Sequence, residues 1–241
     1  MSTQEIDQWL GLQPNTVRKA ITVRSREEAG RLYHMSLDGN IKKFTPYVTR
    51  RAHSEENISV PRISTATSIL GCFVGYLSSI TDIQWPDWKS KKFKNGWYLY
   101  DLPYEYCLKP NKKMLFDTEY SDEHWLVTYS PATREYKGNI VAKMFYSEII
   151  TLPINGKVPR NNVKLVVENL GDDPIVFGKD MSIGKGCWMI SGPLPEQHGD
   201  WSDVKPYAVE QISYGEYAKL KGMTADMLSL DGGNVPPSFK W

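Results

Sequence analysis

Cysteine is scarce and dispersed in this chain. Its 241 residues include three cysteines, Cys72, Cys107 and Cys187, and no pair has CxxC spacing. An odd number of widely separated thiols indicates neither a disulfide framework nor a cysteine zinc site. The four histidines are also scattered, so a histidine metal site would require three distant segments to converge. Free thiols are typical of a reducing compartment, and we expect a cytoplasmic protein.

Long apolar runs and a strong net charge are also missing. No stretch approaches the roughly 20 apolar residues that a membrane-spanning helix needs. The first residues are polar, with Glu5 and Asp7, and predict no signal peptide. The net charge of +1 gives no overall field that would steer the protein to nucleic acid. We therefore expect no membrane association, and contact with nucleic acid only through a local patch.

Several common catalytic motifs do not occur in the sequence. It contains no GxxxxGK[ST] phosphate loop, no GxGxxG fingerprint, no GxSxG nucleophile elbow and no HExxH zinc motif. The short run from Gly184 to Gly186 is better explained as a turn. These absences disfavour the enzyme classes that depend on those motifs.

Aromatic residues, by contrast, are abundant. The chain has eight Trp, fourteen Tyr and seven Phe, which suits sheet packing or a surface that stacks on bases or sugars. One cluster combines rings with positive charge: Trp85, Trp88, Lys89, Lys91, Lys92, Phe93, Lys94 and Trp97. This Lys/Trp cluster is typical either of a solvated loop or of a patch that binds phosphates and bases.

Local patterns predict a helical N-terminal part. Residues 6–12 read as a short helix, and Ser25 with Glu28 forms a capping box that starts a helix at residue 26, running towards residue 32. Residues 32–36 and 58–65 read as strands. Apolar residues at spacings of three and four predict a helix over residues 67–78.

Strands dominate the pattern after this helix. Runs of aromatic and β-branched residues bounded by turn formers predict strands at 97–100, 125–129, 140–150, 163–167, 175–177 and 188–190. We therefore predict an α+β fold with N-terminal helices and a β-rich centre. Its organisation is predicted to be a helical extension over residues 1–30 and one α+β domain over residues 31–241.

An acidic stretch precedes the predicted strand 125–129. It contains Asp117, Glu119, Asp122 and Glu123, and a solvated acidic loop is one explanation. Glu123 lies just before the strand, and a carboxylate at a strand edge can project into a cleft and act on a hydroxyl group. Glu123 is therefore a candidate catalytic residue.

Three segments follow one another in a suggestive order. The predicted strand Tyr33-His34-Met35-Ser36 comes first, residues 62–67 then lead into the predicted helix, and Glu123 comes before a later strand. This order resembles the ADP-ribosyltransferase superfamily. Its members carry an Arg or His on the first core strand, a Ser or Tyr on a second strand leading into a helix, and a Glu at a later strand. The resemblance covers about residues 31–130 and implies a split sheet.

The resemblance also implies an activity and a site. The protein would cleave NAD and transfer ADP-ribose to a protein or nucleic-acid acceptor. Glu123 would hold the ribose 2′-hydroxyl and stabilise the oxocarbenium-like transition state. Met35 stands where the family often has Gly, and Ser121 where a second Glu or Gln is usual, so arginine is not implied as the acceptor. The implied catalytic residues are Glu123, His34 and Ser64, and the implied NAD-binding residues are Tyr33, His34, Ser36, Ser64, Thr65 and Tyr76.

Each of these residues also has an ordinary structural explanation. His34 is compatible with a hydrogen-bonded structural histidine, and Ser64 and Thr65 with plain strand residues. The alternative function is a non-catalytic regulatory or inhibitory factor that binds a protein through the Lys/Trp cluster. Nucleic-acid binding through the same cluster would show an affinity that falls steeply with salt.

Overall fold

Most of the chain is described by a computed structural model. The described residues are 2–48, 59–78, 96–115, 118–128, 135–154, 157–193 and 208–229. The Lys/Trp cluster, apart from Trp97, lies outside these ranges. Among the described helices, none combines the length and the apolarity that a membrane crossing requires.

A ten-stranded antiparallel sheet dominates the described structure. The strand order in it is β1-β5-β6-β3-β2-β4-β7-β8-β11-β12, and β9 and β10 form a separate hairpin. The bounds are β1 Ile21–Ser25, β2 Tyr33–Ser36, β3 Ile63–Ala66, β4 Trp97–Asp101, β5 Tyr106–Pro110, β6 Glu123–Leu126, β7 Asn139–Ile154, β8 Lys157–Asn169, β9 Ile175–Gly178, β10 Met181–Ile183, β11 Gly186–Pro193 and β12 Ala208–Ile212. The prediction of a β-rich fold is confirmed.

Helices are fewer and mostly short. They are α1 Thr3–Leu12, α2 Asn15–Arg18, α3 Arg26–Ala29, α4 Ile69–Ser78, α5 Thr118–Ser121 and α6 Tyr214–Ser229. The capping box predicted at α3 is present: the Glu28 amide donates to Ser25 Oγ, and the Ser25 amide donates to Glu28 Oε2. The helix nevertheless ends at Ala29 rather than near residue 32. Gly30 follows it with φ of 78°, a conformation that glycine adopts readily and that stops the helix.

The first thirty residues form part of the main body rather than a purely helical extension. They contain β1, which pairs with β5 over five residue pairs. Ile6 and Trp9 of α1 share a buried cluster with Trp125 of β6. Because these side chains bury their apolar surface against the sheet, the boundary predicted at residue 30 has no counterpart in the packing.

The sheet has a core on each face. Helix α4 covers one face, where Ile69 and Phe73 pack against Tyr33 and Ala66. On the other face, Phe44, Ile63, Tyr98, Tyr100, Leu102 and Leu126 belong to a separate buried cluster. Successive residues of a strand point to opposite faces, so both faces of the central strands are lined with apolar side chains.

Strands β2 and β3 meet along a very short ladder. One residue pair, Tyr33 with Ala66, joins them, whereas four pairs join β2 to β4. We call this junction the seam. Beyond it, the edge of β3 pairs with another segment: Tyr47 and Arg62 exchange two backbone hydrogen bonds of 2.9 and 3.2 Å. The seam divides the sheet into β1-β5-β6-β3 on one side and the other six strands on the opposite side.

Candidate functional site

The three segments singled out in the sequence lie on three neighbouring strands. His34 is on β2, Ser64 and Thr65 are on β3, and Glu123 is the first residue of β6. Within the β3–β6 ladder, Ala66 is opposite Glu123 and Ser64 is opposite Trp125. Ser64 is therefore a diagonal neighbour of Glu123, at roughly 7–8 Å between their backbones. This separation is short enough for both side chains to contact one substrate.

His34 bridges the seam. Its Nδ1 lies 2.9 Å from the Ser64 carbonyl oxygen, and because a carbonyl only accepts, Nδ1 is the donor. Burial lowers the pKa of His34 below its usual value, and the bond to Ser64 opposes this shift. A neutral ring with a proton on Nδ1 leaves the Nε2 lone pair as an acceptor. His34 can therefore accept a hydrogen bond from a hydroxyl group.

Glu123 is held in a buried cluster with Arg62 and Trp125. The indole Nε1 of Trp125 donates to Glu123 Oε1 at 2.7 Å, and Arg62 Nε lies 3.9 Å from the same oxygen. The Arg62 guanidinium stacks over the Trp125 ring at 4.4 Å. Glu123 is 8% exposed and Arg62 is 3% exposed. Two buried groups of opposite charge thus balance each other beside an indole N–H donor.

The turn before β6 sets where Glu123 begins. Asp122 has φ of 47°, an uncommon left-handed conformation that Asp tolerates better than most residues. Its carboxylate accepts hydrogen bonds from Thr67 Oγ1 and Lys109 Nζ, each at 2.5 Å. This turn therefore connects the loop between β3 and α4 to the first residue of β6.

Glu123 and His34 belong to opposite faces of the sheet. Glu123 lies on the α4 face, close enough to Cys72 of α4 to contribute to the raised pKa of that thiol, which burial mainly causes. The ring of His34 contacts Phe44 on the other face, with centroids 5.2 Å apart. Ser64 is on the same face as Glu123, because Ala66, two residues along β3, is opposite Glu123.

Three of the other sequence candidates make contacts within the fold. Tyr33 is fully buried against α4, and Thr65 is 4% exposed and donates its hydroxyl to the His124 carbonyl. Ser36 accepts a hydrogen bond from the Asp38 amide in the turn after β2. The side chain of Tyr76 lies outside the described residues. His34, Ser64 and Glu123 therefore remain as the central candidates.

The structure adds residues that the sequence analysis did not select. Arg62 and Trp125 surround Glu123, and Tyr47 is paired with Arg62. The spacing of two between Glu123 and Trp125 could have indicated that both share a strand face. No local signal links Arg62 or Tyr47 to Glu123, because those contacts depend on pairing between distant segments.

Neither a metal-binding cluster among the described residues nor a match to a known protein adds information about the site. Among the described residues, no group of three or more His, Cys, Asp or Glu side chains is arranged to hold a metal ion. Compared with protein-family models, curated proteins and solved structures, the chain shows no match in any of the three.

Proposed function

We propose that this protein is an ADP-ribosyltransferase-like enzyme that cleaves NAD and transfers ADP-ribose to a macromolecular acceptor, a protein or a nucleic acid. The observation that supports the proposal is the adjacency of β2, β3 and β6. These strands carry the three segments on which the resemblance rests, and their order along the chain does not by itself require them to be neighbours. In particular, Glu123 is 89 residues from His34 in the sequence, yet one strand separates them.

The proposed reaction uses Ser64, which is beside the seam, and Glu123 on the neighbouring strand β6. The bond between ribose C1′ and the nicotinamide nitrogen breaks, and its electron pair leaves with neutral nicotinamide. The acceptor nucleophile then forms a bond to C1′ and loses its proton. Glu123 stabilises the positive charge that develops on the ribose and accepts a hydrogen bond from the 2′-hydroxyl. His34, on the opposite face, positions β3 through the hydrogen bond from its Nδ1 to the Ser64 carbonyl, and the Ser64 hydroxyl orients the nicotinamide end.

Arg62 and Trp125 have a supporting role in this proposal. Both contact Glu123 Oε1 and so fix one oxygen of the carboxylate. Because the carboxylate is planar and rigid, this also restricts the direction of the second oxygen. A pre-oriented carboxylate in a buried setting acts more strongly on a developing charge than one in water. In this scheme the split sheet implied by the resemblance corresponds to the seam.

Nicotinamide release from NAD is the direct test. The purified protein is incubated with NAD, with and without cell lysate, beside Glu123→Gln and the control Glu210→Gln, whose side chain is exposed on β12. We expect release by the wild-type protein and by the control, and a loss of at least about 100-fold in Glu123→Gln, as for removal of a group that stabilises transition-state charge.

Folding and binding are measured alongside, because Glu123 is buried with Arg62. Glu123→Gln must retain the wild-type circular dichroism spectrum and measurable NAD affinity for the loss of release to be assigned to chemistry. Equal release by Glu123→Gln and wild type would overturn the role of Glu123. If the wild-type protein neither released nicotinamide nor bound NAD, the proposal would be overturned and the non-catalytic binding alternative would be favoured.

A further inference from the structure

Residue 122 ends the turn before β6 in a conformation that few side chains adopt. Asp122 has φ of 47°, in the left-handed region, and Glu123 follows it as the first residue of β6. Asp and Asn enter this region more readily than other non-glycine residues. The backbone conformation therefore accounts for a small polar residue at position 122 but not for a charged one, since Asn adopts it as readily.

The carboxylate of Asp122 joins segments on both sides of β6. Its Oδ2 accepts from Thr67 Oγ1, directly after β3, and its Oδ1 accepts from Lys109 Nζ of β5, each at 2.5 Å. The Asp122 carbonyl accepts from His124 Nδ1 at 2.8 Å. Strands β3 and β5 are the two neighbours of β6 in the sheet. One residue therefore ties the start of β6 to both of them.

Lys109 and Glu123 project to opposite faces of the sheet. Lys109 is two residues along β5 from Cys107, which belongs to the buried cluster on the face away from α4. The Glu123 carboxylate lies on the α4 face. Asp122 is therefore held from the face opposite the carboxylate of its neighbour, and it affects that carboxylate through the backbone rather than by contact.

The ion pair between Lys109 and Asp122 is partly solvated. The two side chains are 36% and 38% exposed, respectively. An ion pair this exposed contributes little to the free energy of folding. Its main effect is geometric, because it fixes the residue directly before Glu123.

We propose that Asp122, held by Lys109, is a positioning residue that sets the Glu123 carboxylate in its reactive position through the backbone. The consequence for NAD cleavage rests on the proposed function. A displacement of about 1 Å in a group that stabilises developing charge can lower a rate by about 100-fold. Loss of the ties at Asp122 therefore lowers kcat for nicotinamide release. The KM for NAD stays unchanged, because neither Asp122 nor Lys109 contacts the substrate.

Three variants separate the ties from the backbone conformation. Asp122→Gly retains access to positive φ but removes the carboxylate. Lys109→Met removes the cation and keeps an unbranched side chain, whereas Lys109→Arg keeps a cation that can bind the carboxylate. The matched control is Asp172→Gly, which removes an exposed carboxylate that accepts from Lys185 Nζ at 2.7 Å in the turn before β9. Circular dichroism confirms that each variant is folded.

Two measurements are made on each folded variant. Nicotinamide release gives kcat and the KM for NAD. The NMR resonance of the Trp125 indole Nε1–H reports its hydrogen bond to Glu123 without any substrate. Its response to Glu123→Gln identifies this resonance, because an amide oxygen is a weaker acceptor than a carboxylate. Trp125 is fully buried, so a displacement of Glu123 alters this bond.

We expect Asp122→Gly and Lys109→Met to move the Trp125 resonance towards its position in Glu123→Gln and to lower kcat by up to about 100-fold at an unchanged KM. Lys109→Arg and Asp172→Gly should match the wild type in both measurements. An unchanged resonance and kcat in folded Asp122→Gly or Lys109→Met would overturn the inference.

A raised KM with an unchanged kcat would also overturn it, because that pattern indicates lost substrate binding rather than misplaced chemistry. If the wild-type protein released no nicotinamide, the proposed function would fail. The Trp125 resonance would then still decide whether Asp122 and Lys109 position Glu123: a shift in both variants would support this role, and no shift would overturn it.

Discussion

Gly71 in α4 allows the helix to lie against the turn that precedes Glu123. A Cβ atom at this position would lie 2.4 Å from the Ser121 carbonyl oxygen and 2.9 Å from Ala66 Cβ. Ordinary contacts begin near 3.4 Å, so Gly71→Ala requires the helix or the turn to move by about 1 Å, the difference between 3.4 and 2.4 Å. Neither neighbour is a flexible side chain. The packing therefore predicts strain rather than an easy adjustment.

Two opposing terms determine the effect of Gly71→Ala on stability. Replacing a helical glycine by alanine normally stabilises by about 0.5–1 kcal/mol. Inserting a methyl group into a packed site costs about 1–3 kcal/mol. We therefore expect the free energy of unfolding to fall by about 1–2 kcal/mol. The direction is opposite to the one that helix propensity alone predicts.

Gly222 in α6 provides the matched control. It is exposed, and a Cβ atom there would have no neighbour within 4 Å. Gly222→Ala should therefore raise the free energy of unfolding by up to about 1 kcal/mol. Urea unfolding followed by circular dichroism measures both variants. If Gly71→Ala stabilised the protein as Gly222→Ala does, the close approach of α4 to Ser121 would be refuted.

Two further predictions concern reactive side chains. Burial raises the pKa values of Cys72 and Cys107 to about 12 and of Cys187 to about 11. A thiol reagent at pH 8 should therefore label none of them until the protein unfolds, and rapid labelling of the native protein would contradict this burial. Burial and then the charge of Lys143 lower the pKa of Lys221 to about 8. A limiting dose of acylating reagent at pH 8 should modify Lys221 before Lys185, because the hydrogen bond to Asp172 raises the pKa of Lys185. Peptide mass spectrometry gives the order of modification, and the reverse order would contradict the lowered pKa of Lys221.

The sequence predicted those elements whose signals are local. The apolar spacing over 67–78 anticipated α4, and Ser25 with Glu28 anticipated the start of α3. Strand β1 was not among the elements predicted from the sequence. It is an edge strand, and its single neighbour, β5, is distant in the sequence. A strand of this kind is defined by its partner more than by its own residues.

The candidate site was predictable to the level of strands but not of side chains. The order of segments selected His34, Ser64 and Glu123, which do lie on neighbouring strands. Burial of Tyr33 depends on which face α4 covers, and a shift of one residue in register would reverse it. Arg62 contacts Glu123 only because β3 pairs with β6, and a single sequence does not encode that pairing as a readable pattern.

The seam has a consequence for how the sheet is held together. Strands β1, β3, β5 and β6 lie on one side of it, and β2, β4 and β7 lie on the other. In passing from β1 to β2, β2 to β3, β3 to β4, β4 to β5 and β6 to β7, the chain crosses the seam five times. Five covalent connections thus join the two sides across a ladder of one residue pair, and no single cut of the gene would yield either side as a contiguous fragment. Separation of the two sides at the seam would therefore have to displace five chain connections as well as break the β2–β3 pairing.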